Sequence, residues 1–241
     1  MKPLVLIPGS LCTEELWEHQ AKHLSAGREV FVPSITEYDS VEKTAEHILD
    51  SVTGPFSLAG LSLGGIIAME IMKQQPDRVD RLALLDTNPN PPTPGQIKGW
   101  NDQQQGVQDR QFDHIVEEQF IPAVLYEKEQ NQRALQITRK MASEIGETGF
   151  FQQLEANKGR PGFLEDLMAI ECPTLVMAGR HDALCNNQIH QLMAAHVFGA
   201  KLVFIEECGH LSPLEQPQAV TAALACWLQE ESRIGGHYVY Q

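Results

Sequence analysis

Apolar residues along this chain come in short runs bounded by turn formers: Leu4–Ile7, Glu29–Val32, Phe56–Leu61, Val79–Leu85, Thr174–Ala178 and Leu202–Ile205. The runs are continuous rather than alternating, as strands covered on both faces of a parallel sheet require. Helix-length segments lie between most of them, at Thr13–Leu24, Ser40–Val52, Gly64–Gln75 and Asn187–Phe198, and a last helix is expected over Pro213–Glu231. The alternation predicts an α/β fold, a doubly wound and mostly parallel sheet of about six strands with right-handed crossovers. The final residues, IGGHYVYQ, read as an appendage.

One segment breaks the rhythm. From Thr87 to about Asp166 no strand is legible; the stretch opens with the breaker-rich TNPNPPTPG and then turns polar and helical. A structureless loop of that length is implausible inside a compact domain, so a helical insertion between two strands is the economical reading. The expected organisation is a core domain in two parts, 1–86 and 167–241, interrupted by a helical insertion at 87–166.

The bulk numbers narrow the class. At 241 residues the chain can bury one sizeable core. Its 18 Lys+Arg against 32 Asp+Glu give a formal net charge of −14. That balance argues against a nucleic-acid surface, whose affinity needs clustered cations, and against adsorption to anionic membranes. The expected partner is a small-molecule substrate, with no nucleic acid and no membrane. Five cysteines, Cys12, Cys172, Cys185, Cys208 and Cys226, show no paired spacing, which fits a reducing compartment. The N-terminal apolar run is cut short by Pro8-Gly9, too early for a signal-peptide core. A cytoplasmic protein is expected.

The chemistry starts at Ser62. It sits in Gly60-Leu61-Ser62-Leu63-Gly64, at the junction where a buried run gives way to the helical spacing of Ile66, Ile67, Met69, Ile71 and Met72. Small residues two before and two after let the chain turn sharply from strand to helix and push the serine out at the top of the sheet. The bare pattern is weak, and turn serines ordinarily bond to nearby backbone. The strand before and helix after are what raise it. A serine hydroxyl is a poor nucleophile without a base beside it and donors for the oxyanion that forms on attack.

Nine histidines are candidate bases. His19, His23, His47, His190 and His196 fall in expected helices and read as surface or boundary residues, His114 lies in the insertion, and His237 in the tail. His210 instead follows a strand directly, in KLVFIEECGHLSPLEQP, where a doubly wound sheet exposes functional groups. Two aspartates end strands: Asp182 in CPTLVMAGRHDALC and Asp86 in RLALLDT. Both are geometrically conceivable as the orienting acid; the order acid-before-histidine and the motif context favour Asp182. The N–H of Leu63, at a helix start, is one expected oxyanion donor. The turn Pro8-Gly9-Ser10-Leu11 supplies the second, from Ser10 with Leu11 as the alternative.

Other features read as structure. Cys208-Gly209-His210 and His181-Asp182 with Cys185 match no zinc spacing, so no metal and no cofactor is expected. Ser212-Pro213-Leu214-Glu215 has capping-box form and reads as the start of the last helix. Cys12 reads as a small buried residue, Trp17 as packing its helix on the sheet, and Trp100 and Phe112 as facing either substrate or the core of the insertion. The insertion's polar helices offer no legible charged clamp or apolar channel.

Together LVLIPGSLCTEELW, FSLAGLSLGGIIAMEIMKQQPDRVDRLALLDT, CPTLVMAGRHDALC and FIEECGHLSPLEQP resemble the α/β-hydrolase family over nearly the whole chain outside the insertion. The resemblance implies Ser62 as nucleophile, Asp182 as acid and His210 as base, with 87–166 at the place of the family's helical cap. It also implies that the first two family strands are absent, and it departs from the family in having Pro8-Gly9 for the usual His-Gly. The implied activity is a serine carboxylesterase acting on a small or medium ester or thioester through an acyl-enzyme. The same residues would serve a transacylase, and a non-catalytic binding protein on this scaffold is the reading from another class.

Overall fold

The computed structural model describes residues 1–229; the tail with His237, and the end of the expected last helix, lie outside them. Six parallel strands form one sheet in the order β2-β1-β3-β4-β5-β6. They are β1 (Leu4–Ile7), β2 (Val30–Phe31), β3 (Phe56–Leu61), β4 (Val79–Leu85), β5 (Thr174–Gly179) and β6 (Lys201–Ile205). Strand order reverses between β1 and β3, which pair from Leu4 opposite Ser57 to Ile7 opposite Gly60. A doubly wound sheet opens a crevice at the carboxyl ends of such a pair.

Burial on both faces holds for the central strands only. β1 and β3 are buried throughout, whereas β2 is half-buried and β6 runs from exposed Lys201 to buried Ile205. Edge strands lack a neighbour on one side, so their apolar runs are shorter and more mixed. Alternate residues of β1 enter opposite cores: Leu4 and Leu6 pack with Trp17, Leu224 and Trp227, and Val5 and Ile7 with Ile48, Ile67 and Met193. The first core is covered by α1 (Glu18–Leu24) and the last helix, the second by α2 (Val41–Ser51), α3 (Leu63–Gln74) and the helix Asn187–His196. Trp17 is buried in the first of these cores, as expected.

Between β4 and β5 the described chain is helical and contains no strand: α4 (Pro94–Gln108), α5 (Phe112–Ile115), α6 (Ile121–Val124) and α7 (Gln132–Gly159), with a π-helical stretch at Val116–Phe120. Thr93 starts α4 with a complete capping box, its hydroxyl accepting from Gln96 N–H. α7 breaks at Gly146, whose φ of 64° is open to glycine at little cost. Val107, Phe112, Ile115, Phe150 and Leu154 join the core that also holds Leu4 and Trp17, with Phe112 tilted on Phe150. Phe112 therefore packs inward.

After β5 come α8 (Asn187–His196), β6, and two helices in place of the single one expected, α9 (Ser212–Glu215) and α10 (Pro217–Leu228). The split changes the role of the Ser212–Glu215 box. Leu211, not Ser212, caps α9, and both polar side chains turn inward.

Candidate active site

β3 and α3 meet at Ser62, whose φ of 56° and ψ of −119° place it where non-glycine residues are rare. Two close approaches force the sharp turn. A Cβ on Gly60 would sit 2.2 Å from Gly64 O, and one on Gly64 would sit 2.4 Å from Ile7 O. The flanking glycines are thus a steric requirement of helix crossing strand. Ser62 N–H donates to Leu85 O at 3.0 Å, and Ser62 O accepts from Gly65 N–H, Ile66 N–H and the Thr87 hydroxyl. Backbone bonds hold the turn and leave the side chain to the cavity. Leu11, Asp86 and Glu207 also have positive φ, each just beyond a strand's carboxyl end.

The β6–α9 loop carries His210, which is 2% exposed. Its Nδ1 donates to Asp182 Oδ2 at 2.8 Å. Asp182 Oδ1 accepts from Leu184 N–H at 2.8 Å and Cys185 N–H at 2.9 Å. Burial pushes the Asp182 carboxyl up, but the His210 charge, its hydrogen bond and these two N–H groups outweigh it, leaving the carboxyl below its ordinary range. On His210 burial pushes down, and the Asp182 charge and hydrogen bond, with Asp86 and Glu215 adding, raise the imidazole above its ordinary value. Both shifts favour an ionised aspartate steadying the ring.

The two candidate acids are separated by their partners. Asp86, fully buried, accepts from Gly179 N–H at 2.7 Å and from the Ser212 hydroxyl, and makes no hydrogen bond to His210. Burial and then the Asp182 charge push its carboxyl well up. Asp182, not Asp86, faces the imidazole.

Ser62, His210, Gly9 and Ser10 line one cavity of about 240 Å³. The β4–β5 insertion contributes Trp100, Phe120, Phe150, Leu154, Asn157 and Arg160 among others, so Trp100 faces the cavity while Phe112 does not. Leu11 N–H is taken by Gln153 Oε1 at 2.9 Å. Leu63 is the first residue of α3, so its N–H has no acceptor within the helix. Cys12 is buried beneath this turn and Cys185, not Cys12, reaches the cavity.

Several residues at the site had no legible local signal. Glu215 accepts from Gly209 and Leu211 N–H at 3.1 Å and from Tyr126 N–H at 2.9 Å, tying the histidine loop to the insertion. His210 N–H in turn donates to Val124 O. Burial raises the Glu215 carboxyl to about 7 against the pull of those three N–H groups. His190, expected at the surface or a boundary, is buried: its Nδ1 donates to Asn186 O and its Nε2 accepts from Thr87 N–H, fixing the residue after Asp86. Asn157 and Arg160 come from the end of α7 and just beyond it, and are brought in by that helix's path alone. Ligand atoms of Asp182, Cys185 and His210 lie within 4.8 Å of one another. The aspartate and histidine already bond to each other, and burial pushes the Cys185 thiol well up, so this set is poorly suited to a metal.

A doubly wound parallel sheet with a serine on a strained strand-to-helix turn, beside a cavity shared with an aspartate-bound histidine, defines an α/β protein of the hydrolase type. The chain belongs to the alpha/beta hydrolase family, whose profile matches residues 4–224. A thermophilic esterase from Thermogutta terrifontis, in a malate-bound structure, is similar at 27% identity and a TM-score of 0.88, over 95% of this chain and 89% of that one. An (E)-2-((N-methylformamido)methylene)succinate hydrolase from Acinetobacter baylyi is 24% identical over 95% of this chain and 90% of its own length. A pimeloyl-[acyl-carrier protein] methyl ester esterase from Nitrosomonas europaea is 26% identical over 75% and 74%. These relatives are hydrolases, which supports an ester-cleaving role. No helix among the described residues is long and apolar enough to cross a membrane.

Proposed function

We propose that the protein is a serine hydrolase cleaving a small or medium carboxylic ester or thioester through an acyl-enzyme. The observation that carries this reading is that His210, bound through Nδ1 to Asp182 Oδ2 at 2.8 Å, lines the same cavity as Ser62. With Nδ1 facing Asp182, His210 has Nε2 to accept the Ser62 proton. Ser62 Oγ then bonds to the substrate carbonyl carbon. The N–H groups of Leu63 and Ser10 hold the oxyanion; Leu11 N–H, committed to Gln153, is not available for it. His210 returns the proton to the departing alcohol or thiol as the carbonyl re-forms. Water, deprotonated by His210, attacks the acyl-enzyme, and Ser62 leaves with its proton restored.

In this reading the insertion at 87–166 is a cap that walls the cavity and excludes bulk water. The cavity, about 240 Å³, falls below the ~300–1,000 Å³ of pockets for drug-sized ligands, which favours the smaller end of that substrate range. The relatives' names agree on hydrolysis and differ in substrate, so selectivity is argued from this cavity.

The test is release of p-nitrophenol from esters with two to eight acyl carbons by wild type and Ser62→Ala. The expected result is turnover by wild type that falls by about 10⁴-fold or more in the variant, with short chains favoured. Equal turnover by both proteins refutes Ser62 as nucleophile. Absence of both steady release and an acylation burst in wild type counts against simple ester hydrolysis and moves acyl transfer or binding ahead.

A further inference from the structure

The cavity beside Ser62 has an unusual charge pattern for so acidic a protein. Of its lining residues none is Asp or Glu, and Arg160 is the one with a permanent positive charge. Arg160 is 6% exposed. Its Nε donates to Asn90 O at 3.3 Å and its Nη1 to Asn157 Oδ1 at 3.0 Å, and the guanidinium carbon lies 5.4 Å from the Trp100 ring centroid. Those two bonds use two of five N–H groups, and both acceptors are neutral.

The neighbouring cation shows the contrast. Lys158 pairs with Glu155 at 2.8 Å, but among the described residues no carboxylate pairs with Arg160. Burial lowers its proton affinity, and the only ionisable neighbour that offsets this is Cys185, whose thiol burial itself holds neutral. A buried charge without a counter-ion is unfavourable unless something anionic completes the site. A guanidinium is suited to that task because its planar fork accepts a carboxylate in two parallel bonds.

Arg160 is also tied to the reacting centre. Asn157, which accepts from Arg160, donates through Nδ2 to Ser10 Oγ at 3.3 Å. Arg160 is thus two hydrogen bonds from the residue assigned to the oxyanion.

We propose that Arg160 anchors a carboxylate on the substrate, making the preferred substrate a short ester that carries a free carboxylate a few atoms from the scissile carbonyl. The inference rests on Ser62 acting as the nucleophile and adds the chemical class of what it attacks. The net charge of −14 repels such a molecule at long range, so the preference arises inside the cavity, where screening by solvent is weakest.

The carboxylate can belong to the acyl part or to the alcohol part, and two pairs of esters with matched carbon chains separate them. One pair is monoethyl glutarate and ethyl pentanoate; the other is 3-acetoxypropanoate and propyl acetate, each followed by proton release at constant pH. In wild type the charged member of at least one pair is expected to have the higher kcat/KM, by about 10- to 100-fold and mostly through KM, as for charge-assisted hydrogen bonds. The pair that shows the preference identifies which part bears the carboxylate. Arg160→Gln is expected to remove most of that ratio and Arg160→Lys to restore part of it. A purely structural Arg160 would change both members of a pair alike.

A wild-type ratio near or below one in both pairs overturns the proposal, even if Arg160→Gln fails to fold. So does a ratio that survives in a folded Arg160→Gln protein. If the neutral esters are hydrolysed and Ser62→Ala abolishes that hydrolysis, such a failure belongs to the Arg160 proposal alone. If no ester in either pair is hydrolysed, the hydrolase reading fails and takes this inference with it.

Discussion

The strand-end turns and the helical insertion meet at one cavity, yet they reach it by different means. The turns after β1, β3, β5 and β6 carry Ser10, Ser62, Asp182 and His210, each in a short loop directly beyond its strand's carboxyl end. Ser62 owes its position to Gly60 and Gly64 within two residues on either side. The insertion instead holds its place through long-range side-chain ties: Gln153 to Leu11 N–H, Asn157 to Ser10, and Glu215 to Tyr126 N–H. The comparison teaches that a reactive group can be written into a short motif, whereas a selectivity group is specified only when distant segments pack.

The sharpest way to break this comparison lies within the turns, at the two carboxylates. Asp182→Asn is expected to lower kcat by about 10³–10⁴-fold, because the amide favours the wrong imidazole tautomer. Asp86→Asn is expected to stay within about 10-fold of wild type. Burial already favours the neutral acid there, and the Ser212 hydroxyl can turn to accept from the new amide. Equal losses in the two variants would mean that position at a strand end, not contact with His210, sets the role.

The pH profile sharpens the same point. Only neutral His210 can accept the serine proton, so kcat/KM falls as pH drops through its pKa. The Asp182 charge and hydrogen bond, opposing burial, place that acid limb above the ordinary histidine value, and Asp182→Asn moves it to lower pH. A limb unmoved by the substitution would contradict the assignment.

The smallest effect concerns the tie between insertion and core. Glu215 has its folded pKa raised by burial to about 7, above an ordinary value of 4.5. The folded state therefore holds the proton more tightly than the unfolded state, and stability falls as pH rises from about 4.5 to 7. Relative to Glu215→Gln, wild type is expected to lose up to about 3 kcal/mol across that window. Denaturant titrations of both proteins at pH 4.5, 6 and 8 measure it. A constant difference would show that Glu215 does not titrate in that range.

Much of the fold was legible because buried strands and helices have distinct apolar spacing. β1, β3 and β4 fall where their runs predict them, and the order of elements follows. Misreadings arose where tertiary contact overrides a local pattern. Ser212-Pro213-Leu214-Glu215 has the letters of a capping box, but Ser212 bonds to Asp86 and Glu215 to three backbone N–H groups. His190 sits on a helix whose inner side meets Thr87, a contact 103 residues away in sequence. Arg160 follows a polar helix and nothing nearby marks it; only the path of α7 delivers it to the cavity. A buried arginine on the cavity wall was therefore invisible in sequence and is plain only in three dimensions.

The central claim is that Ser62 forms a covalent acyl-enzyme beside His210. It is tested most directly by intact-protein mass spectrometry after acid quenching a reaction with p-nitrophenyl acetate, followed by peptide mapping. The account predicts an adduct of one acetyl group on Ser62 in wild type, accumulating further in a His210→Ala protein that has been given time to acylate and is slow to deacylate. An acyl group found on Cys185 or another residue, or turnover with no adduct on Ser62 under any quench time, would contradict it.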